Sequence, residues 1–351
     1  MQTLLDAKRS YVTRNVCLED AFSLSSKEPV VGDLLLARID RIRQHGRLEN
    51  TEGRRVHLFP GDEIIVAAGY RYATAQFHAQ APTSLGPCHL VAAGGIAANV
   101  VSKSAQVKPA TEITLLGTIA DANGEKLNLS RYSRLKPAYL HPSAEVMPVL
   151  LVIGSDMNSG KTTLACSAIH SFRSAGLRVA GAKLTGTGAG PDYWKMLDAG
   201  AFQVRDFVDA GMPSTAGVSE AKLIDLIRTM KADATQQNAD VLVIEVADGV
   251  LQPETRALLT SGSLAKEVTG ALVAADSATA AVLCTERVIH AGIPVYAMGG
   301  VFTRSALCCE EVATGVGLPV FRLEDMRKAS TVEYLTSALN RDTMHVAACA
   351  V

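Results

Sequence analysis

Hydrophobic and polar positions along the 351-residue chain follow two different rhythms. Between about Pro29 and Leu129, short apolar runs alternate with turn residues: "DLLLARIDRI", "RRVHLF", "DEIIVAAG", "CHLVAAGG", "TEITLLGTI" and "KLNLS". Gly, Pro, Asn or Asp separates most of them, which is how strands joined by tight reversals read. This half is expected to be a mainly β domain, with a hairpin at Asn123-Gly124, whose residues tolerate positive φ. Residues 131–148, "RYSRLKPAYLHPSAEVMP", hold three prolines and no sustained period, so the boundary is placed there. The expected domains are 1–145 and 146–351.

Beyond that boundary the rhythm becomes β-α alternation. Apolar runs predict strands at 149–153, 178–183, 240–246, 270–275 and 294–298. Helical spacing predicts helices near 161–175, 219–232 and 278–290. The predicted fold is α/β, a doubly wound and mostly parallel sheet, and such sheets bind ligands beyond the carboxyl ends of their strands.

Composition narrows the function classes. With 48% hydrophobic residues the chain can bury two cores, while 34 Lys and Arg against 35 Asp and Glu leave no overall field for nucleic acid or an anionic membrane. The expected partner is a small-molecule substrate, with homo-oligomeric assembly. The seven cysteines include no C-x-x-C pair, which fits a reducing cytoplasm and argues against a zinc site or a disulfide framework. No apolar run reaches the length of a membrane span, so a soluble chain is expected.

The chemistry concentrates in "VLLVIGSDMNSGKTTLACSAI", residues 149–169, where an apolar run meets a Gly turn and then a Lys and two Thr. A strand that ends in a flexible loop, followed by a helix N-terminus, presents backbone N–H groups and partial positive charge to an anion. Gly154, Asn158, Ser159, Gly160, Lys161, Thr162 and Thr163 form the candidate nucleotide-binding set. Gly160 allows close approach, Lys161 can reach phosphate oxygens, and Thr162 can offer its hydroxyl to magnesium. A strict G-x4-G-K-[ST] pattern is absent, because Ser155 stands at the expected Gly and Gly154 lies one residue early.

"GSDMNSGKTT" resembles the "GTDTEVGKT" loop of dethiobiotin synthetase, which departs from the general pattern in the same way. "GPDYWKMLDAGA", residues 190–201, resembles the "GKDSYRxxxAGA" segment of MobB, a P-loop protein associated with molybdenum cofactor biosynthesis. "LTGTGAG" and "DFVDAGMPST" are similar to a poorly characterised P-loop family that includes D-glutamate N-acetyltransferase. The resemblance covers residues 148–300 and implies a dethiobiotin synthetase-like fold for the second domain.

It also implies roles. Lys183, ending the second strand of that domain, corresponds to a lysine that meets the transferring phosphoryl group. Asp192 falls at the MobB aspartate, a magnesium-shell or nucleophile-orienting group, with helix capping as the competing role; Asp198 is a weaker candidate. Glu245, closing "DVLVIEV", falls where dethiobiotin synthetase carries a metal-holding glutamate, and a carboxylate there is costly to bury unless it is paired or metal-bound. Asp156 matches the aspartate of "GTD" and is a further metal candidate, with a hydrogen bond inside the loop as the alternative. Thr185 and Thr187 are candidate substrate-side donors, or else solvent-facing turn residues.

The implied function is a Mg-ATP-dependent enzyme, a phosphotransferase or ligase acting on a small carboxylate-like metabolite. Two other classes stay open: a CoA-dependent N-acyltransferase acting on an amino acid, and a nucleotide-dependent switch or adaptor. Cys308 and Cys309 read as small apolar fillers of a helix, His57, His78 and His89 lack metal-ligand spacing, and Trp194 reads as a packing residue.

Overall fold

A computed structural model describes residue 4 and residues 6–135 and 147–349, with side chains as far as residue 341. The expected boundary near residue 145 lies outside the described residues. By its contacts the chain divides into two compact units. One comprises Met1–Lys136, Gly186–Pro191 and Phe207–Gly217; the other comprises Pro137–Thr185, Asp192–Asp206 and Val218–Val351.

The first unit is mainly β. Its strands are β1 (Lys8–Arg9), β2 (Ser23–Ser25), β3 (Leu34–Arg41), β4 (Arg47–Glu49), β5 (Arg55–His57), β6 (Glu63–Ala68), β7 (Arg71–Tyr72), β8 (Phe77–Gln80), β9 (Gly86–Ala92), β10 (Ile96–Lys103) and β11 (Thr111–Ala120). The circuit β6-β3-β11-β9-β10 closes on itself, because β10 also pairs in parallel with β6 through Ile96 and Ala97. Closure removes sheet edges and encloses a core of alternating side chains, among them Leu35, Ala37, Ile39, Ile64, Val66, Leu90, Ile113 and Leu115.

The Asn123-Gly124 reversal is present: Gly124 has φ +77, and Gly124 N donates to Asp121 O at 3.0 Å. "KLNLS" differs from expectation. Lys126 and Asn128 make only isolated bridges, and Leu129–Tyr132 turns into a 3-10 helix. The cause is local, since the Asn128 side chain accepts from Ser130 N and diverts the backbone from the ladder.

The second unit contains a six-stranded sheet in the order β14-β13-β15-β12-β16-β17, with every pairing parallel. Its strands are β12 (Val149–Gly154), β13 (Val179–Lys183), β14 (Gln203–Asp206), β15 (Val241–Glu245), β16 (Gly270–Ala275) and β17 (Val295–Gly300). The helices are α1 (Lys161–Ser174), α2 (Pro191–Asp198), α3 (Glu220–Gln236), α4 (Pro253–Ser261), α5 (Ala278–His290), α6 (Ala306–Val316) and α7 (Ala329–Cys349). α2 begins at Pro191, the last residue of a segment grouped with the first unit.

β12, β15 and β16 are buried along their whole length, as their unbroken apolar runs require of strands covered on both faces. α1 covers one face through Leu164, Ala165, Ala168, Ile169 and Phe172, which join a core with Val152, Val243 and Leu272. Cys308 and Cys309 lie in α6, whose N-cap Ser305 accepts from Cys308 N. No helix among the described residues is long and apolar enough to cross a membrane.

Candidate functional site

β12 ends at Gly154, the chain loops through 155–160, and α1 begins at Lys161. Gly154 explains the departure from the strict motif. A Cβ there would lie 2.4 Å from Ala274 O and 2.7 Å from Ser159 Oγ, so glycine is needed one residue early, at the strand's last position. Ser155 can then carry a side chain, and its Oγ donates to Asp276 Oδ1 at 3.2 Å. The loop continues with Asn158 at φ 65 and Gly160 at φ 99, both left-handed.

Lys161 folds back over the loop: its Nζ donates to Asp156 O and reaches Ser159 Oγ at 3.3 Å. The ammonium is buried and its pKa is lowered, first by burial and then by the nearby Lys183 charge, against the raising influence of Glu245 and Asp248. Asp156 thus takes part through its backbone carbonyl; its side chain is exposed and is not among the residues lining the cleft.

Parallel register sets the next two charged groups side by side. Lys183 on β13 pairs with Glu245 on β15, and Glu245 pairs with Val152 on β12. Two charged residues thus close β13 and β15, the two successive strands on one side of β12. Thr162 Oγ1, one residue into α1, lies 3.0 Å from Glu245 Oε1 and 3.1 Å from Asp192 Oδ1. Asp192, in the first turn of α2, forms an ion pair with Lys183. The result is a compact set of two lysines, two carboxylates and a hydroxyl.

Burial decides the electrostatics. Glu245 is 2% exposed and its carboxyl is pushed up, chiefly by desolvation, with Lys183 opposing. Burial would lower the Lys183 pKa, but Asp192 and Glu245 outweigh it and hold the ammonium above its usual range. Burial likewise acts to raise Asp192, and Lys183 and the Thr162 hydroxyl overcome it. Glu245 Oε2 is left buried with no hydrogen-bond partner. Such an atom costs about 1–3 kcal/mol, more when charged, unless another group completes it.

These side chains line a cleft of about 390 Å³ together with Met157, Asn158, Gly160, Thr163, Lys195, Ala247, Asp248, Val301 and Arg304. Asp248, Lys195 and Arg304 escaped the sequence reading. Asp248 comes from the turn after β15 at φ 59, Lys195 lies one helical turn beyond Asp192, and Arg304 ends a short 3-10 segment after β17. Only the run "EVADG" carried a signal, an acid three residues after Glu245 in a strand-end turn.

Gly154 and Ser159 support the loop from beneath, and Ser159 is fully buried. Thr185 and Thr187 do not line the cleft. The Thr185 hydroxyl accepts from Ala247 N at 2.9 Å and is consumed in joining two strand ends, whereas Thr187 belongs to the first unit and bridges Ser214. Trp194 packs edge-on against Tyr193, with ring centroids 4.9 Å apart. No cluster of three or more His, Cys, Asp or Glu side chains that could hold a metal occurs among the described residues, so a cation at Thr162 and Glu245 would need non-protein ligands as well.

No protein-family model and no curated protein matches this chain. Among solved structures, it is similar to the 54 kDa protein of the signal recognition particle from Aeropyrum pernix K1 in complex with GDP, with 16% identity and a TM-score of 0.39. That match covers 62% of this chain and 53% of the other, so it spans about half the length of that protein. A DUF1611 family protein from Anabaena variabilis matches at 15% identity and a TM-score of 0.40, over 60% of this chain and 63% of that one. The cell division protein FtsY from Thermotoga maritima matches at 15% and 0.38, over 60% and 74%. At these scores the likenesses identify no activity.

Proposed function

We propose that the second unit binds Mg-ATP at the 154–163 loop and transfers the terminal phosphoryl group to a carboxylate of a small metabolite, as phosphotransferase or ligase. The observation that carries this reading is the buried, unpartnered Glu245 Oε2 beside the Thr162 hydroxyl, with two lysines facing the same cleft. A cleft built only for packing would bury neither cations nor an unsatisfied carboxylate.

The donor set fits a hard divalent cation, because hydroxyl and carboxylate oxygens are the ligands magnesium takes, with phosphate and water completing its shell. Thr162 and Glu245 would hold it, and Asp192 would act from the second layer through the Thr162 hydroxyl. When bound, the ion supplies charge neutralisation at the phosphate oxygens.

The chain's own residues do the rest. Lys161 exchanges its loop carbonyl for phosphate oxygen, a charge-assisted bond stronger than the one it gives up. The N–H groups that open α1 have no helical acceptor and would be available to the phosphate oxygens. Lys183, fixed by Asp192, offers a preorganised positive charge where negative charge builds during transfer.

The test is calorimetry with Mg-ATP, its non-hydrolysable analogue and Mg-GTP on the full chain. Lys161→Ala is expected to weaken nucleotide binding at least tenfold and abolish turnover while the circular dichroism spectrum is retained. Unchanged nucleotide affinity in the folded variant would overturn the reading.

A further inference from the structure

A second concavity of about 360 Å³ opens off the phosphate cleft, with Thr163 and Lys195 lining both. We propose that it is an acceptor subsite that takes a distal anionic group, carboxylate or phosphate, on a short aliphatic spacer. The proposal rests on the phosphoryl-transfer reading above.

Three elements contribute to this groove. α1 supplies Cys166 and His170, one helical turn apart; α2 supplies Lys195 and Asp198; the 3-10 turn Asp325–Arg327 supplies Arg327. Arg327 is held in place from behind, because Met326 is fully buried and its carbonyl accepts from Ser171 Oγ on α1. The lining is mainly apolar at Cys166 and Ala199, with the charges at the rim, which suits an aliphatic segment ending in an acid.

Among the described residues the side chains of Lys195, His170 and Arg327 make no hydrogen bond or ion pair, although Asp198 lies three residues from Lys195 on the same helix. By contrast, Arg205 is paired with Asp233 and Lys231 with Glu267. Two permanent cations against one carboxylate leave the groove net positive, and Thr163 and Lys195 are common to it and to the cleft where transfer would occur.

Lys183 and Asp192 line the cleft that shares Thr163 and Lys195 with this groove. An acceptor whose reacting carboxylate faces Lys183 would therefore lay its other end toward Arg327. Arg offers bidentate geometry to either carboxylate or phosphate.

The experiment titrates the full chain, saturated with magnesium and a non-hydrolysable ATP analogue, with glutarate, 3-phosphopropionate and butyrate. At least one dianion is expected to bind tenfold or more tighter than butyrate, and the better of the two identifies the distal group. Arg327→Ala and Arg327→Glu are expected to remove that advantage while nucleotide affinity stays within twofold. Equal binding of dianions and butyrate, or an advantage that survives Arg327→Glu, overturns the subsite.

Repeating the titrations without nucleotide separates the two readings. A dianion response that depends on Arg327 in a protein that binds no nucleotide supports the groove and overturns phosphoryl transfer. Nucleotide binding with no dianion response overturns the groove alone.

Discussion

Lys183 and Glu245 are neighbours in register but differ in what they are asked to do. If Lys183 meets the charge that develops in phosphoryl transfer, as proposed, Lys183→Ala is expected to lower turnover about 10²-fold while changing nucleotide affinity far less. Glu245→Gln keeps the shape and removes the charge, so the magnesium concentration for half-maximal turnover should rise at least tenfold. Steady-state kinetics across a magnesium series read both effects; a Lys183→Ala variant that lost affinity and kept turnover would reverse the assignment.

His45 in the first unit gives a separate pH signature. Its Nε2 lies 3.0 Å from Val91 O and 3.4 Å from Arg71 Nη1, and burial, with Arg71 second, lowers its pKa to about 4. Between about pH 6.5 and 4 the unfolded chain then binds more protons at this site than the folded one, so its contribution to stability falls as the pH falls through that window. Urea midpoints at pH 7 and pH 4.5 should differ less in His45→Gln than in the parent, and an unchanged difference would exclude His45 as a source.

At the scale of elements, the loop between β12 and α1 depends on a missing side chain. Gly154→Ala would put a Cβ 2.4 Å from Ala274 O on the neighbouring strand, a backbone atom that cannot swing aside. The variant is expected to lose about 1–3 kcal/mol of stability and to weaken nucleotide binding, read by thermal melting and calorimetry. Ser155→Gly, which restores the strict motif, should bring no gain in nucleotide affinity, because it removes the Ser155 bond to Asp276.

The same element shows how far the sequence could be read. β12, β13, β15 and β16 announced themselves because strands covered on both faces need unbroken apolar runs, and Lys183 and Glu245 stood out as the charged residues that end two of them. β14, only four residues long, and β10, with Asn99, Ser102 and Lys103 among its apolar positions, gave no comparable signal. Asp248, Lys195 and Arg304 reach the cleft from a turn, a helix face and a 3-10 segment, and where such positions point depends on tertiary path. Thr185 looked available in sequence because nothing local foretells that its hydroxyl bonds to Ala247 N, on a segment 62 residues away.

At the scale of the whole molecule, each compact unit is made of three chain segments, so the chain passes between them five times. Two of the first unit's segments, Gly186–Pro191 and Phe207–Gly217, are continuous with β13, α2 and β14 of the second. Phe207–Gly217 is anchored within the first unit through Asp209, which is 2% exposed, pairs with Arg14 at 3.0 Å and accepts from Asn15 Nδ2 at 3.0 Å. Removing one partner of a buried ion pair costs roughly 3–5 kcal/mol, since the other charge stays buried. Segments threaded in this way cannot leave one unit without pulling on strands of the other, so unfolding is expected to be shared. The single tryptophan, Trp194 on α2, reports on the second unit by fluorescence, while far-UV circular dichroism reports on both. Asp209→Ala, made in the first unit, is expected to lower both midpoints together and by the same amount. If instead the Trp194 transition stays where it was while the circular dichroism curve splits in two, the units unfold independently, and the threaded segments serve as connections without coupling the two stabilities.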